Sequence, residues 1–372
     1  MEVNSWRHPI HAGSPRRQAP AHAALRASSL ASTQLGLSVT EPSQVAAARR
    51  YAAALAQALG FTEAEIGQIA LAVTEVATNL VKHATNGQLL LRGYTDLQGQ
   101  GIELLALDGG PGIVNVAACL QDGFSTAGSP GIGLGVIGRI CTRCDIYSRP
   151  GSGTALLACC QPHRRDLYPL NRSPTKRSGL DIGVICLPVA GETVCGDAWA
   201  IDQQAGHYRI LVADGLGHGP EAGEAAQEAV RVFHMHPLLA PAAIIDVTHT
   251  ALRGTRGVAL AVADIDLAAQ QLRFAGVGNI AGAILTPEGH HSFASHNGIV
   301  GYQIRQIQEF SSPWHDCDLL LMHSDGLASR WDLAAYPGLA YRHPGLIAGV
   351  LYRDYSSARD DVTIVAATAA KP

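Results

Sequence analysis

Apolar positions recur along this chain in two different rhythms. From Thr62 to Ala84, the residues Ile66, Ile69, Val73, Val76, Ala77, Leu80, Val81 and Ala84 return at helical spacing, so one stripe of a helix is predicted to pack on a sheet. Glu75, Asn79 and Lys82 fall on the opposite stripe, at steps of three and four. Thr62 is placed to cap this helix, and Gly60 to end the Ala-rich helix that runs through Leu59 before it. Leu35 to Val39 reads as the short strand that opens the folded part. Other apolar residues come in short unbroken runs, Leu104-Leu105-Ala106-Leu107, Ile210-Leu211-Val212 and Leu319-Leu320-Leu321-Met322, which are predicted to be buried strands.

These strand-like runs lead into acids. Asp214 and Asp325 follow two of them, and Gly196-Asp197 and Asp360-Asp361-Val362-Thr363 add further carboxylates. A single Asp-Gly pair reads as a turn. Four acidic segments in this order read as strand ends that gather oxygen ligands for hard divalent cations.

The order Gly-Asp, Asp214-Gly-Leu-Gly-His-Gly, Gly276-Val-Gly-Asn279, Ser324-Asp-Gly and Asp-Asp-Val-Thr363 resembles the SpoIIE-type branch of metal-dependent serine/threonine phosphatases, over residues from about 180 to 368. Within that branch it is most similar to the small RsbX-like members. The resemblance implies a double β-sheet sandwich flanked by helices, with two Mn²⁺ or Mg²⁺ ions at one end. It makes Asp197, Asp214, Asp325 and Asp360 the carboxylate ligands, Asp214 the bridge, and the Gly215 carbonyl a further oxygen. It also implies direct attack of water on phosphorus, without a phosphoenzyme. Asp361 is either a ligand or a support for its neighbour. His218 either protonates the leaving serine oxygen or fills a turn beside the site.

The first half holds a second set. Asp108-Gly109-Gly110-Pro111-Gly112 follows the Leu104 run, then come Asp122-Gly123-Phe124-Ser125-Thr126, Gly131-Ile-Gly133-Leu-Gly135 and Gly151-Ser-Gly-Thr154. Taken alone, the glycine triplet is only a flexible loop. With the upstream helix, the set resembles the GHKL (Bergerat) ATP-binding fold, and most of all the RsbT and RsbW kinases of bacterial partner switching. That resemblance implies ATP with Mg²⁺ as cofactor. Asn79 would hold Mg²⁺, Asp108 would bind the adenine amino group, and Thr154 would support that contact. Gly110 and Gly112 would pass close to the nucleotide, while Gly131, Gly133 and Gly135 would form a lid over the phosphates. Glu75 is the general base that takes the proton from an incoming serine hydroxyl. Pro130 departs from the pattern because it removes one N–H donor before the lid. Arg139 and Arg143 are the nearest cations to balance phosphate charge.

A chain of 372 residues fits two folded units. The reading is an α/β (α+β) two-domain protein. Residues 1–34 form a disordered or extension segment, 35–162 a GHKL α/β sandwich, 163–178 a basic linker and 179–370 a SpoIIE-type α-β-β-α sandwich. A net charge of −4 and the lack of any long unbroken apolar stretch point to neither nucleic acid nor membrane, and a cytoplasmic location is expected. The eight cysteines read as reduced core residues, and Cys141-x-x-Cys144 lacks two further zinc ligands. His290-His291 reads as an exposed turn. Together the resemblances imply a bifunctional regulator whose kinase and phosphatase act on STAS-domain anti-sigma-factor antagonists, with a sigma factor or activator phosphatase as further partners and a homodimer allowed. The alternatives are a phosphatase with a nucleotide-sensing or docking module, and a scaffold without catalysis that sequesters a STAS or sigma-factor partner.

Overall fold

The structure, a computed structural model, describes residues 34–96, 99–119, 133–162, 179–204 and 206–370. The Asp122–Thr126 motif, Pro130, Gly131, the basic linker and nearly all of the 1–34 segment lie outside these residues.

Strand β1 (Gln34–Ser38) precedes helices α1 (Pro42–Ala58) and α2 (Glu63–His83). Thr62 starts α2 with a reciprocal capping box: its hydroxyl accepts from Glu65 N–H while the Glu65 carboxylate accepts from Thr62 N–H. Then come β2 (Gln88–Asp96), β3 (Gly99–Asp108), the single turn α3 (Val116–Cys119), α4 (Gly133–Ile140), β4 (Arg143–Ser148) and β5 (Thr154–Cys160). The five strands form one antiparallel sheet in the order β1-β2-β3-β5-β4. One face of this sheet buries the apolar stripe of α2, Ile69, Val73, Val76, Ala77 and Leu80, together with α1 residues and Ile137 of α4.

The second half runs β6 (Leu180–Leu187), β7 (Asp197–Gln204), β8 (His207–Gly215), α5 (Pro220–Met235), α6 (Pro241–Ala251), β9 (Val258–Asp266), β10 (Gln271–Val277), β11 (Ala281–Thr286) and β12 (Gly289–Phe293). It continues with the two-residue strands β13 (Gly298–Ile299) and β14 (Gln303–Ile304), then β15 (Glu309–Pro313), β16 (Leu319–His323), α7 (Pro344–Tyr355) and β17 (Val362–Ala369). Two five-stranded sheets result, ordered β15-β10-β9-β8-β7 and β12-β11-β16-β17-β6. Their facing sides share a core of Val184, Ile210, Val212, Phe274, Leu320, Met322 and Val365. Helices α5 and α6 cover the outer face of the first of these sheets, through Ala225, Ala229, Phe233, Ile244 and Ile245.

Helix α7 covers the outer face of the other sheet, and on its far side it meets the bare face of the N-terminal sheet. Leu346, Ile347, Val350 and Leu351 of α7 share one buried cluster with Leu90, Leu105, Leu107 and Leu157 of the first half and with Ile185, Leu187, Leu321 and Ile364 of the second. The layers therefore run α-β-α-β-β-α, with α7 common to both halves. Among the described residues no helix is long and apolar enough to cross a membrane.

One local expectation changes. His290 and His291 stand on β12 and not in the turn, because the hairpin closes at Thr286↔Gly289 and pairs Leu285↔His290 and Ile284↔His291. Cys141 and Cys160 are buried free thiols whose Sγ atoms lie 2.8 Å apart. Among the described residues no three His, Cys, Asp or Glu side chains are gathered tightly as a metal cluster.

Candidate functional sites on two facing halves

Strand pairing builds the acidic site. Asp197 opens β7 and lies directly opposite Asp214 near the end of β8. Directly opposed side chains of an antiparallel pair share one face of the sheet, here the inner face that also carries Trp199 and Val212. Asp325 follows β16 in the opposing sheet. Asn279, just after β10, bridges the gap: its Nδ2 donates to Asp214 Oδ2 (3.2 Å) and to Asp325 Oδ2 (2.6 Å).

The electrostatics follow from this crowding. Burial and then the charge of Asp325 raise the Asp214 carboxyl to about 7. Burial, with Asp214 next, holds Asp197 well above the ordinary carboxylate range. Asp360 is raised by burial first and by the charges of Asp325 and Asp361, while the Asp361 N–H (2.9 Å from its Oδ1) and His218 oppose the rise. Oxygen donors that repel one another in this way suit hard divalent cations, whose charge reverses the penalty.

Asp361 is committed elsewhere. Its Oδ1 accepts from Val189 N–H (2.8 Å) and its Oδ2 from Gly196 N–H (2.9 Å), so it anchors the loop that delivers Asp197. Gly215 N–H donates to Gly196 O (3.1 Å), which ties the two strand ends together. His218 is exposed, and its Nδ1 lies 2.9 Å from Glu192 Oε1.

Three residues had no assigned role in the sequence reading. Ser324 donates to Asp197 Oδ2 (2.7 Å) and accepts from Thr363 N–H (2.9 Å). Asn279 and Ser324 both sat inside quoted motifs, and that was their signal. Glu192 had none.

The second site lies on α2, the end of β3 and the β4–β5 turn. Glu75 and Asn79 are half-buried on the α2 face away from Val73, Val76, Ala77 and Leu80. Asp108 ends β3, paired with Thr154, and its Oδ1 accepts from Gly110 N–H (2.7 Å). Burial raises this carboxyl, while the Gly110 N–H, Arg353 and the Thr154 N–H oppose the rise. Thr154 Oγ1 lies 2.9 Å from Ser148 Oγ, which accepts from Ile113 N–H (2.8 Å). Gly153 adopts φ +76°, and a Cβ there would stand 1.9 Å from Asp108 O, so only glycine fits. Gly112 lies against the Arg149 carbonyl. Gly133 and Gly135 fall within the first turn of α4. An acidic group fixed beside glycine-rich backbone suits the amino edge of a purine, and the polar face of α2 offers oxygen donors to a nucleotide-bound cation.

Comparison with known proteins agrees with both halves. The family model described as "Histidine kinase-like ATPase domain" matches residues 39–159, and the one described as "Stage II sporulation protein E (SpoIIE)" matches residues 204–369. The serine/threonine-protein kinase RsbT of Bacillus subtilis (strain 168) is 33% identical over 114 residues, covering 31% of this chain and 86% of RsbT. The phosphoserine phosphatase RsbX of the same organism is 24% identical over 140 residues, covering 37% of this chain and 69% of RsbX. A crystal structure of RsbX in complex with magnesium aligns at a TM-score of 0.47 and 21% identity, over 51% of this chain and 96% of that one. Nucleotide and divalent-metal use are implied by these two domain types. The chain belongs to the family of the RsbT-type kinases, its histidine kinase-like ATPase domain joined on one polypeptide to a SpoIIE-type phosphatase domain.

Proposed function

We propose that this chain both adds and removes phosphate on serine or threonine of STAS-domain partner proteins, as a bifunctional partner-switching regulator. The observation that carries the reading is the convergence of Asp214 and Asp325 on one Asn279 amide, with Asp197 opposite Asp214.

In the phosphatase, Asp197, Asp214, Asp325, Asp360 and the Gly215 carbonyl would hold two Mn²⁺ or Mg²⁺ ions. When bound, such ions polarise a phosphoryl oxygen and acidify water. Ser324 fixes the rotamer of Asp197. Asp361 keeps the Gly196–Asp197 turn in place. His218, oriented by Glu192 through Nδ1, presents Nε2 to the leaving seryl oxygen and delivers its proton there.

In the kinase, Asp108 and Thr154 would orient the adenine edge of ATP, Asn79 would hold Mg²⁺, and Glu75 would take the proton of the acceptor hydroxyl. Tethering raises the local concentration of each activity at a shared substrate.

The test follows label from γ-labelled ATP onto a panel of STAS proteins, then off again after Mn²⁺ is added. Glu75→Gln should abolish loading and spare removal, and Asp325→Asn should do the reverse. Normal loading by Glu75→Gln refutes the base assignment. No transfer and no hydrolysis with any partner, or with a generic phosphoester, refutes the bifunctional reading in favour of a binding scaffold.

A further inference from the structure

Arg353, in the last turn of α7, belongs to the phosphatase half by sequence, yet its Nη1 donates to the main-chain carbonyl of Asp108 in the other half, at 2.9 Å. The guanidinium is not free to follow small shifts. Its Nε and Nη2 form a fork on the Asp354 carboxylate (2.7 and 2.8 Å), and Asp354 Oδ2 also accepts from Tyr336 O–H (2.8 Å). The Asp108 carbonyl also lies against Gly153, where a Cβ would stand 1.9 Å from its oxygen. It therefore has little room to move without disturbing Arg353.

Beyond Arg353 the chain runs directly to the acidic site. Tyr355 O accepts from Ala328 N–H (3.0 Å), Ser357 N–H donates to Gly326 O (2.7 Å), and Leu327 bridges Ser356. These contacts lace the segment before Asp360 to the segment after Asp325. The helix cannot slide freely either: at Gly349 a Cβ would approach Leu105 Cδ2 to 2.7 Å, so α7 rests against the N-terminal sheet. Packed interfaces of this kind pass small displacements on instead of absorbing them.

We infer that Arg353 is a positioning residue for the nucleotide site, and that through α7 it couples nucleotide occupancy at Asp108 to the geometry of Asp325 and Asp360. The inference rests on the nucleotide and phosphatase roles proposed above. Seating an adenine edge on the Asp108 carboxylate loads the main chain that Arg353 holds. A ligand shifts a remote site only by its differential affinity for the two arrangements, and here the Asp108–Arg353 contact supplies that difference. Linkage makes the effect reciprocal for binding.

The experiment uses the full chain. ADP with Mg²⁺ is titrated calorimetrically into wild type, Arg353→Ala and Arg353→Lys, and Mn²⁺-dependent hydrolysis of p-nitrophenyl phosphate is measured with and without saturating ADP. Losing a charge-assisted contact should weaken ADP binding about tenfold in Arg353→Ala, and less in Arg353→Lys, which keeps a cationic donor without the planar fork. ADP should change wild-type hydrolysis severalfold, and that ratio should return to one in Arg353→Ala. If the Ala variant does not fold, the Lys variant reads the same two quantities. Wild-type ADP affinity in the variants, or hydrolysis indifferent to bound ADP, overturns the coupling alone. A wild type that binds no ADP overturns the nucleotide-site reading and the coupling with it.

Discussion

Asp197 and Asp214 stand directly opposite each other across the β7–β8 ladder, two carboxylates on one face at the end of a buried sheet. Like charges placed so cost stability unless a cation joins them. Asp214→Asn should therefore raise the melting temperature in chelator by a few degrees, about 1 kcal/mol of relieved repulsion. The same variant should lose the stabilisation that Mn²⁺ gives wild type, and its hydrolysis of a generic phosphoester should fall by about two orders of magnitude or more. Differential scanning fluorimetry with and without Mn²⁺ checks the first two effects. A variant that still gains stability from Mn²⁺ as wild type does would remove Asp214 from the ligand set.

Neighbouring acids Asp360 and Asp361 should part company on mutation. Because Asp361 accepts from Val189 and Gly196 N–H, Asp361→Ala leaves the buried Gly196 donor and the half-buried Val189 donor unpaired, and should cost about 1–3 kcal/mol for the first and less for the second. Asp361→Asn keeps one acceptor oxygen, so its Mn²⁺-dependent rate should stay within about tenfold of wild type, whereas Asp360→Asn should lose about a hundredfold. Urea unfolding and steady-state kinetics on the three variants read both quantities. Equal rate losses for the two Asn variants would make Asp361 a ligand and not an anchor.

What could be read before folding was whatever a local pattern encodes. The α2 stripe from Ile69 to Leu80, the Thr62 cap and the β8 and β16 runs all appear as the periodicity predicts. The acids stood out because four acidic segments recur in one order beside apolar runs, where a single Asp-Gly pair would read only as a turn. Ser324 and Asn279 did not, since an uncharged hydroxyl or amide gains its role only when separate strands bring Asp197, Asp214 and Asp325 to it. Helix α7 was missed for a related reason. Leu346, Ile347, Val350 and Leu351 are all buried, because sheets lie on both sides of the helix, so no polar face marks its period. The Arg353 contact could not be foreseen from a sequence separation of that size.

Inside the N-terminal sheet, Arg92 and Glu103 form a cross-strand ion pair, Nε to Oε1 2.6 Å and Nη2 to Oε2 3.0 Å. Both are buried, 6% and 5% exposed, and the guanidinium also lies 5.7 Å from the Trp199 ring of the other half. Removing one partner strands a charge, so Glu103→Leu or Arg92→Met alone should cost about 3–5 kcal/mol. The double variant should recover most of that loss, because two apolar side chains need no pairing. Denaturant midpoints give the comparison, and a double variant as unstable as the sum of the singles would contradict it.

His343 links stability to pH. It caps α7, its Nδ1 accepting from Gly345 N–H (3.0 Å) while its own main-chain N–H donates to Asp145 Oδ2 (3.1 Å). Burial first, then the charge of Arg143, lower its pKa, with Glu103, Asp181 and Asp145 pulling the other way. The folded chain thus keeps the ring neutral where the unfolded chain takes a proton. Its contribution is complete above the unfolded value of about 6.5 and shrinks as pH falls below it, since the unfolded state then binds more protons. An imidazolium also cannot accept from Gly345. Between pH 7.5 and 5.5, wild type should lose about 1 kcal/mol more than His343→Asn, whose amide oxygen can cap the helix without titrating. Unfolding free energies measured across that range decide the matter, and parallel curves for the two proteins would place the titration elsewhere.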